Sequence, residues 1–454
     1  MGATVLDSTD AIVEFIGHAR PPAAARQRAA AAFQDTLGVI LAGVHEPASQ
    51  MARALALDEG RGACRVLGTG DTTSAGWAAF ANGVAAHALD FDDMCFVSMA
   101  HPSCALVPAL LAAGERIGAS GDALLDGYIV GFEVECRLGN VMNPRHYHVR
   151  GWHATSSIGT VGAAAAAARV LGLDAAATRH ALGIAASSAC GLKENLGSMV
   201  KPLHAGLAAR NGLMAAQLAQ RGFVASARAL DGPQGYLAVM DSEHPSLDGA
   251  VADLGRRWEI LDTGVTVKLY PSCAATHPPL DVILGLARQH SLAPSTVAAI
   301  DVEVDSMTPR LLIYSRPGTA LEGKFSMPFC AAAAVAHRTI DMRTFDVARI
   351  EEPVVQALIP KVTLRACPAF DTSAPLSRTR VTIRLTDGTV LTQEADGARG
   401  YPGRLSEAEL AAKFADCAAR ALATDDAARA WAGLQHIEEL ETSSLTALLA
   451  PTTA

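Results

Sequence analysis

From Thr9 to about Thr266, apolar residues recur three and four positions apart, the spacing that lays them along one stripe of a helix. AFQDTLGVILAGV (Ala32–Val44), LVPALLAAGERIG and GTVGAAAAAARVLGL follow this rule, and glycines and prolines gather between such stretches. Helices with small side chains and short connections predict an α bundle of many helices. Near Thr266 the period changes. AIDVEVDS (Ala299–Ser306) alternates, with Ile300, Val302 and Val304 on one face. TRVTIRLTDGTVLTQEAD alternates through Val381, Ile383 and Leu385, turns at Asp387-Gly388 and resumes at Val390. KVTLRA (Lys361–Ala366) reads as a further strand and EGKFSMPFCAAAAVAHR (Glu322–Arg338) as a helix. This region predicts an α+β unit with an antiparallel sheet. Ser406-Glu407-Ala408-Glu409 then forms a capping box ahead of an apolar-periodic stretch to about Leu422, so the chain returns to helix. The expected fold is mainly α. Residues 1–266 and 399–454 form a large helical domain, residues 267–398 a smaller α+β domain, and the cleft between them is the default place for a site.

Composition narrows the function classes. Half of the 454 residues are hydrophobic, only 5% are aromatic, and the net charge is -9. An acidic chain without a run of like charges has no footprint for nucleic acid. CALVPALLAAG and VGAAAAAA stop at Glu115 and Arg169, too soon to span a bilayer. The N-terminus carries acidic residues early and lacks a basic segment before an apolar run, which does not read as a signal peptide. Nine scattered cysteines without a CxxC pair read as reduced, buried thiols of a cytoplasmic protein and not as iron–sulfur ligands.

Four segments concentrate polar residues in apolar company. HALDFDDMCFVSMAHPS (His87–Ser103) holds three aspartates and two histidines. Asp90, Asp92 and Asp93 suit a helix cap and solvated turn, or a site. His101 stands at a helix start, where nearby donors keep an imidazole neutral and suited to proton exchange. In HYHVRGWHATSSIGT (His146–Thr160), three histidines lack the spacing and carboxylate of a zinc helix. His146 and His148 read as surface histidines, whereas His153 opens an alanine-rich helix. In CGLKENLGSMVKPLHAGLAARNG (Cys190–Gly212), Lys201 and His204 lie at another helix start, where a lysine and backbone N–H groups can meet an anion. A solvated surface lysine is the plainer alternative. VKLYPSCAATHPPLD (Val267–Asp281) brings Lys268, Tyr270, Cys273 and His277 to a turn that leads into a helix. Together these outline a pocket for a small anion, with no metal set and no cofactor motif.

The segments AHALDFDD…HPS, GWHATSSIGTVGAAAAAARVLG, MVKPLHAGLAARNG, YPSC and EGKFSM, in that order and over nearly the whole chain, resemble the MmgE/PrpD family. Its members include 2-methylcitrate dehydratase, cis-aconitate decarboxylase and iminodisuccinate epimerase. The resemblance implies an all-helical domain of N- and C-terminal segments, an α+β lid and usually a homodimer. It places the pocket at Asp90, His101, His153, Lys201 and Lys268. Met94 stands where a threonine often follows the DFDD run, and Cys273 where the decarboxylase has a histidine. Ile313, beside Tyr314, stands where that enzyme's lid contributes a tyrosine. The YPSC segment and the longer Asp90-to-His101 spacing lean towards the epimerase.

The implied chemistry makes or protonates a carbanion-like centre beside a carboxylate, which needs fixed cations and a poised acid–base group but neither metal nor organic cofactor. Lys201 and Lys268, with His204 and Tyr270, would bind carboxylates. His101 and His153 would move protons, Asp90 would orient a histidine, and Cys273 would serve as a further acid–base group. Three activities fit: a lyase on a small di- or tricarboxylate, an epimerase or isomerase of a similar acid, or a non-catalytic carboxylate binder.

Overall fold

Alanine is the best helix former and lets helix axes approach closely. The consequence is visible in a computed structural model, described for residues 8–242, 246–373 and 378–452. The chain divides into two units. The first runs to Ala88, continues from Asp92 to Thr266 and resumes at Ser406; the second comprises Leu89–Phe91 and Val267–Leu405.

The first unit is built mainly of helices: α1 (Ala23–Gly43), α2 (Ala75–His87), α3 (Ser103–Ile117), α4 (Gly121–Met142), α5 (Ala154–Val170), α6 (Ala175–Ser188) and α7 (Val200–Gln220). A two-residue hairpin, Cys64–Arg65 with Thr72–Thr73, interrupts them. Every residue of α5 from Ala154 to Ala168 is buried, which explains a helix with no polar face. α7 packs on α2 and α5. A Cβ on Gly83 would stand 2.9 Å from Gly206 Cα, and one on Gly212 would stand 2.8 Å from the Thr160 carbonyl oxygen. Glycine at these crossings therefore sets how near the helices come. The returning C-terminal segment opens with the helix Glu407–Ala418, where Ser406 and Glu409 form the expected capping box.

In the second unit, β1 (Val297–Val304), β2 (Val362–Ala366), β3 (Arg378–Leu385) and β4 (Val390–Asp396) form one sheet in the order β2-β1-β3-β4. Ile300 and Val302 face Ile383 and Val381 across an antiparallel ladder, and β3 pairs antiparallel with β4 through the turn at Asp387-Gly388. β2 pairs parallel with β1, so the sheet is mixed rather than wholly antiparallel. Parallel neighbours require a crossover, and the helical segment between β1 and β2 supplies it. Two helices, α8 (His277–Gln289) and α9 (Met327–His337), pack with the sheet.

Two boundaries differ from those read in the sequence. α9 begins at Met327 and not at Glu322, because the Ser326 side chain accepts from Phe329 N and Pro328 occupies the first turn. The second unit extends past residue 398. Arg399 N donates to Asp281 Oδ2 (2.8 Å) and Val267 N to the Gly400 carbonyl (3.0 Å), and these bonds tie residues 399–405 to it. No described helix is long and apolar enough to cross a membrane.

Candidate active site

The polar stretch His87–Ser103 connects α2 to α3. Close contact at Gly83 and Gly206 brings the end of α2 against the start of α7. His87, the last residue of α2, thereby meets Lys201 in the first turn of α7, with His87 Nε2 2.6 Å from Lys201 Nζ. The loop folds back on itself through Met94 paired with Thr266 and Cys95 N donating to the Ala100 carbonyl. Asp92 Oδ2 then lies 2.7 Å from His87 Nδ1 and 3.4 Å from His101 Nδ1. Asp93 accepts the Ser103 N–H (3.2 Å) and its hydroxyl, which also meets the Tyr128 hydroxyl at 2.6 Å. Each of these two buried acids thus has partners, as burial of a carboxyl group demands.

Two further histidines join from α5 and α7. His153 occupies the N-cap position of α5 and donates its N–H to the Gly191 carbonyl at 2.9 Å. Gly191 has a φ of +119°, and a Cβ there would crowd Ser156 Cβ at 2.7 Å, so glycine permits this approach. His204 follows Lys201 by three residues and shares its helix face. His153 Nδ1 lies 3.0 Å from His204 Nδ1. The His87 ring sits edge-on to His101 at 4.6 Å and near-parallel to His153 at 5.8 Å. The first unit therefore gathers Lys201, Asp92 and four imidazoles.

Their charges follow from burial. Burial, reinforced by Lys201 against the pull of Asp92, lowers His87 to about 3. Burial and Lys201 also lower His153 well below the usual value and His204 to about 4. Burial opposes the charge of Asp92, but the imidazoles of His87 and His101 outweigh it and hold the acid well below the usual range. Asp93 goes the other way, raised well above that range by burial. His87 and Asp92 thus form a neutral imidazole bound to a carboxylate, not an ion pair. Lys201 beside imidazoles that burial keeps neutral, those of His87, His153 and His204, can hold an anion and exchange protons with it.

The second unit holds the other expected residues. Asp90, at a left-handed φ of 52°, pairs with Lys268, whose Nζ lies 2.8 Å from Asp90 Oδ1 and 3.0 Å from its carbonyl. Lys324, from the EGKFSM segment, donates to the carbonyls of Leu89 (2.6 Å) and Pro271 (2.9 Å) and so holds both chain segments in place. Tyr270 donates its hydroxyl to Asp281 (2.5 Å) and packs its ring against His277. Cys273 is half-buried, and its N–H goes to the Lys324 carbonyl.

His101, His153, Lys201 and His204, four of the residues singled out in the sequence, lie together in the first unit. Lys201 is 5% exposed and not a solvated lysine. His146 is a correction: it is fully buried rather than on the surface, bonded to Ser157 Oγ at 2.7 Å and stacked on Trp152. Trp152, Ser157 and the Met240 carbonyl enclose its ring. His87, Asp92 and Lys324 were missed as site residues. For two of them a signal was present, since a histidine closing an apolar helix just before DFDD brings imidazole and carboxylate within one loop. Atoms of His87, Asp92 and His101 lie within 4.8 Å of one another, near enough to share an ion. Yet both His87 nitrogens are engaged, one of them by an ammonium, and this donor set fits a metal poorly.

Residues 11–247 match the MmgE/PrpD N-terminal domain and residues 270–439 the MmgE/PrpD C-terminal domain. The chain belongs to the MmgE/PrpD family. Human cis-aconitate decarboxylase is 31% identical over 82% of this chain and 79% of its own length. A cis-aconitate decarboxylase-like protein of Aspergillus oryzae is 29% identical over 93% and 92%. Cis-aconitate decarboxylase of Aspergillus terreus is 29% identical over 75% and 74%. Decarboxylase relatives cover most of its length, and this MmgE/PrpD protein is an enzyme.

Proposed function

We propose that the protein is a lyase for a small tricarboxylate of the aconitate type, removing carbon dioxide or water by acid–base chemistry of its own side chains. The observation that carries this reading is Lys201, a buried cation beside neutral imidazoles. Lys201 holds a substrate carboxylate and stabilises the charge that develops next to it as the bond to the leaving group breaks. His101, whose Nδ1 lies 3.4 Å from Asp92 Oδ2, delivers a proton to the carbon that carbon dioxide leaves or to a leaving hydroxyl. In loss of water, His153, kept neutral by burial, takes the proton from carbon while the hydroxyl leaves protonated; loss of carbon dioxide needs only the proton delivered to carbon. Two imidazoles in different electrostatic settings thus take opposite roles.

Cys273, where the resemblance would put a histidine in the decarboxylases, favours a second reading: an epimerase of a related dicarboxylate. NMR in deuterated water, with cis-aconitate, 2-methylcitrate and aspartate-like acids as trial substrates, separates the two. A lyase yields a product lighter by carbon dioxide or water. Deuterium entering a stereocentre with the carbon skeleton intact would establish the epimerase instead.

A further inference from the structure

His87 is wholly buried at the end of α2, and both its ring nitrogens are in contact with charged groups. An ammonium offers only donors, so His87 Nε2, 2.6 Å from Lys201 Nζ, presents its lone pair. The ring proton then belongs on Nδ1, 2.7 Å from Asp92 Oδ2, where the carboxylate accepts it. With Lys201 as the donor this geometry assigns the ring proton to Nδ1, and the downward shift of His87 agrees with it. The groups facing the ring are Asp92, Lys201, His101 and His153. With both nitrogens engaged, His87 has none to offer a substrate.

We infer that His87 is a positioning residue: through its Nδ1-protonated ring, Asp92 anchors the Lys201 ammonium in the orientation that receives a substrate carboxylate. This rests on the proposed role of Lys201. A lysine stem is rich in rotamers, and a charge-assisted bond at its tip removes that freedom before the ligand arrives. His87 acts on affinity through Lys201, and it touches no reacting atom.

The test uses the full-length protein with cis-aconitate as substrate and tricarballylate, a saturated tricarboxylate, as binding probe. His87→Phe keeps the ring volume but removes both polar contacts. It should weaken tricarballylate binding roughly tenfold, the scale of one hydrogen bond to a charged group, and raise KM more than it lowers kcat. His87→Gln, whose amide can accept from Lys201, should recover most of the affinity. In the Lys201→Met background, His87→Phe should add almost nothing, because contacting residues that act through one group are not additive. Nitrogen NMR of the histidine-labelled wild type should show the proton on Nδ1, a readout independent of any variant's folding. Full additivity in the double variant, or a proton on Nε2, would overturn the anchoring. Unchanged tricarballylate affinity in Lys201→Met would instead overturn the lysine's role as carboxylate ligand, and with it this use of His87.

Discussion

Gly206 Cα occupies the space that a side chain on Gly83 would need, 2.9 Å from where its Cβ would stand. This contact sets the spacing of α2 and α7, and hence that of His87 and Lys201 at their adjoining ends. Gly83→Ala should therefore lower both melting temperature and activity. A loss of about 1–3 kcal/mol is the usual cost of overpacking. A Gly83→Ala protein with unchanged melting and turnover would show that the crossing tolerates a wider separation.

Removing the cation isolates its contribution. Lys201→Ala should lose on the order of 2–4 kcal/mol of transition-state stabilisation, the range for truncating one partner of a buried charge contact. Relief of a buried charge should keep the fold intact. Steady-state kinetics and melting measured on one preparation decide the matter, and near-normal turnover would place the substrate carboxylate elsewhere.

His101 and Asp92 should separate by size of effect. His101→Asn should reduce activity by roughly a hundredfold or more, the scale for a positioned acid–base group. Asp92→Asn keeps the shape of the loop but removes the carboxylate that meets both His87 and His101, so it should lower activity less than His101→Asn does. Asp90→Asn weakens the Lys268 pair and should chiefly lower the melting temperature. Equal, purely thermal effects of all three substitutions would make the segment structural only.

Chelators provide a cheap control. EDTA should leave turnover unchanged, since Lys201 faces the imidazole that a metal would need. Loss of activity that one divalent metal restores would redirect attention to His87, Asp92 and His101.

Glu135, on α4, is wholly buried, and neither carboxyl oxygen has a hydrogen-bond partner among the described residues. Burial raises its pKa well above the usual value, with the charges of Cys95 and Asp93 adding to the shift. The folded protein therefore keeps a proton that the unfolded chain releases above about pH 4.3. Its contribution to stability is complete below that pH and declines as pH rises, by about 1.4 kcal/mol per unit until the folded group ionises. Glu135→Gln should thus gain stability over wild type progressively from pH 5 to pH 8. A melting difference that stays constant over that range would mean Glu135 is ionised in the folded protein.

Local pattern made much of the fold legible. Helical spacing, the alternation at Ile300–Val304 and Val381–Leu385, and the Ser406–Glu409 capping box each depend on residues within a few positions of one another. The sequence by itself therefore determined a mainly helical body, a strand-bearing insertion, and the helix starts that carry His101, His153 and Lys201. It also marked His87–Ser103 as too polar for its surroundings. Only the tertiary structure decided which partner each acid takes. Asp92 meets His87 and His101, Asp93 meets Ser103, and Asp90 meets Lys268. Likewise β2 joined the sheet parallel to β1 through a crossover that no strand pattern reveals. The reason is distance along the chain. His87 and Lys201 are 114 residues apart and Asp90 and Lys268 178, so their pairing depends on where helices cross and loops close, and burial then leaves each charge only the partner that packing brings to it.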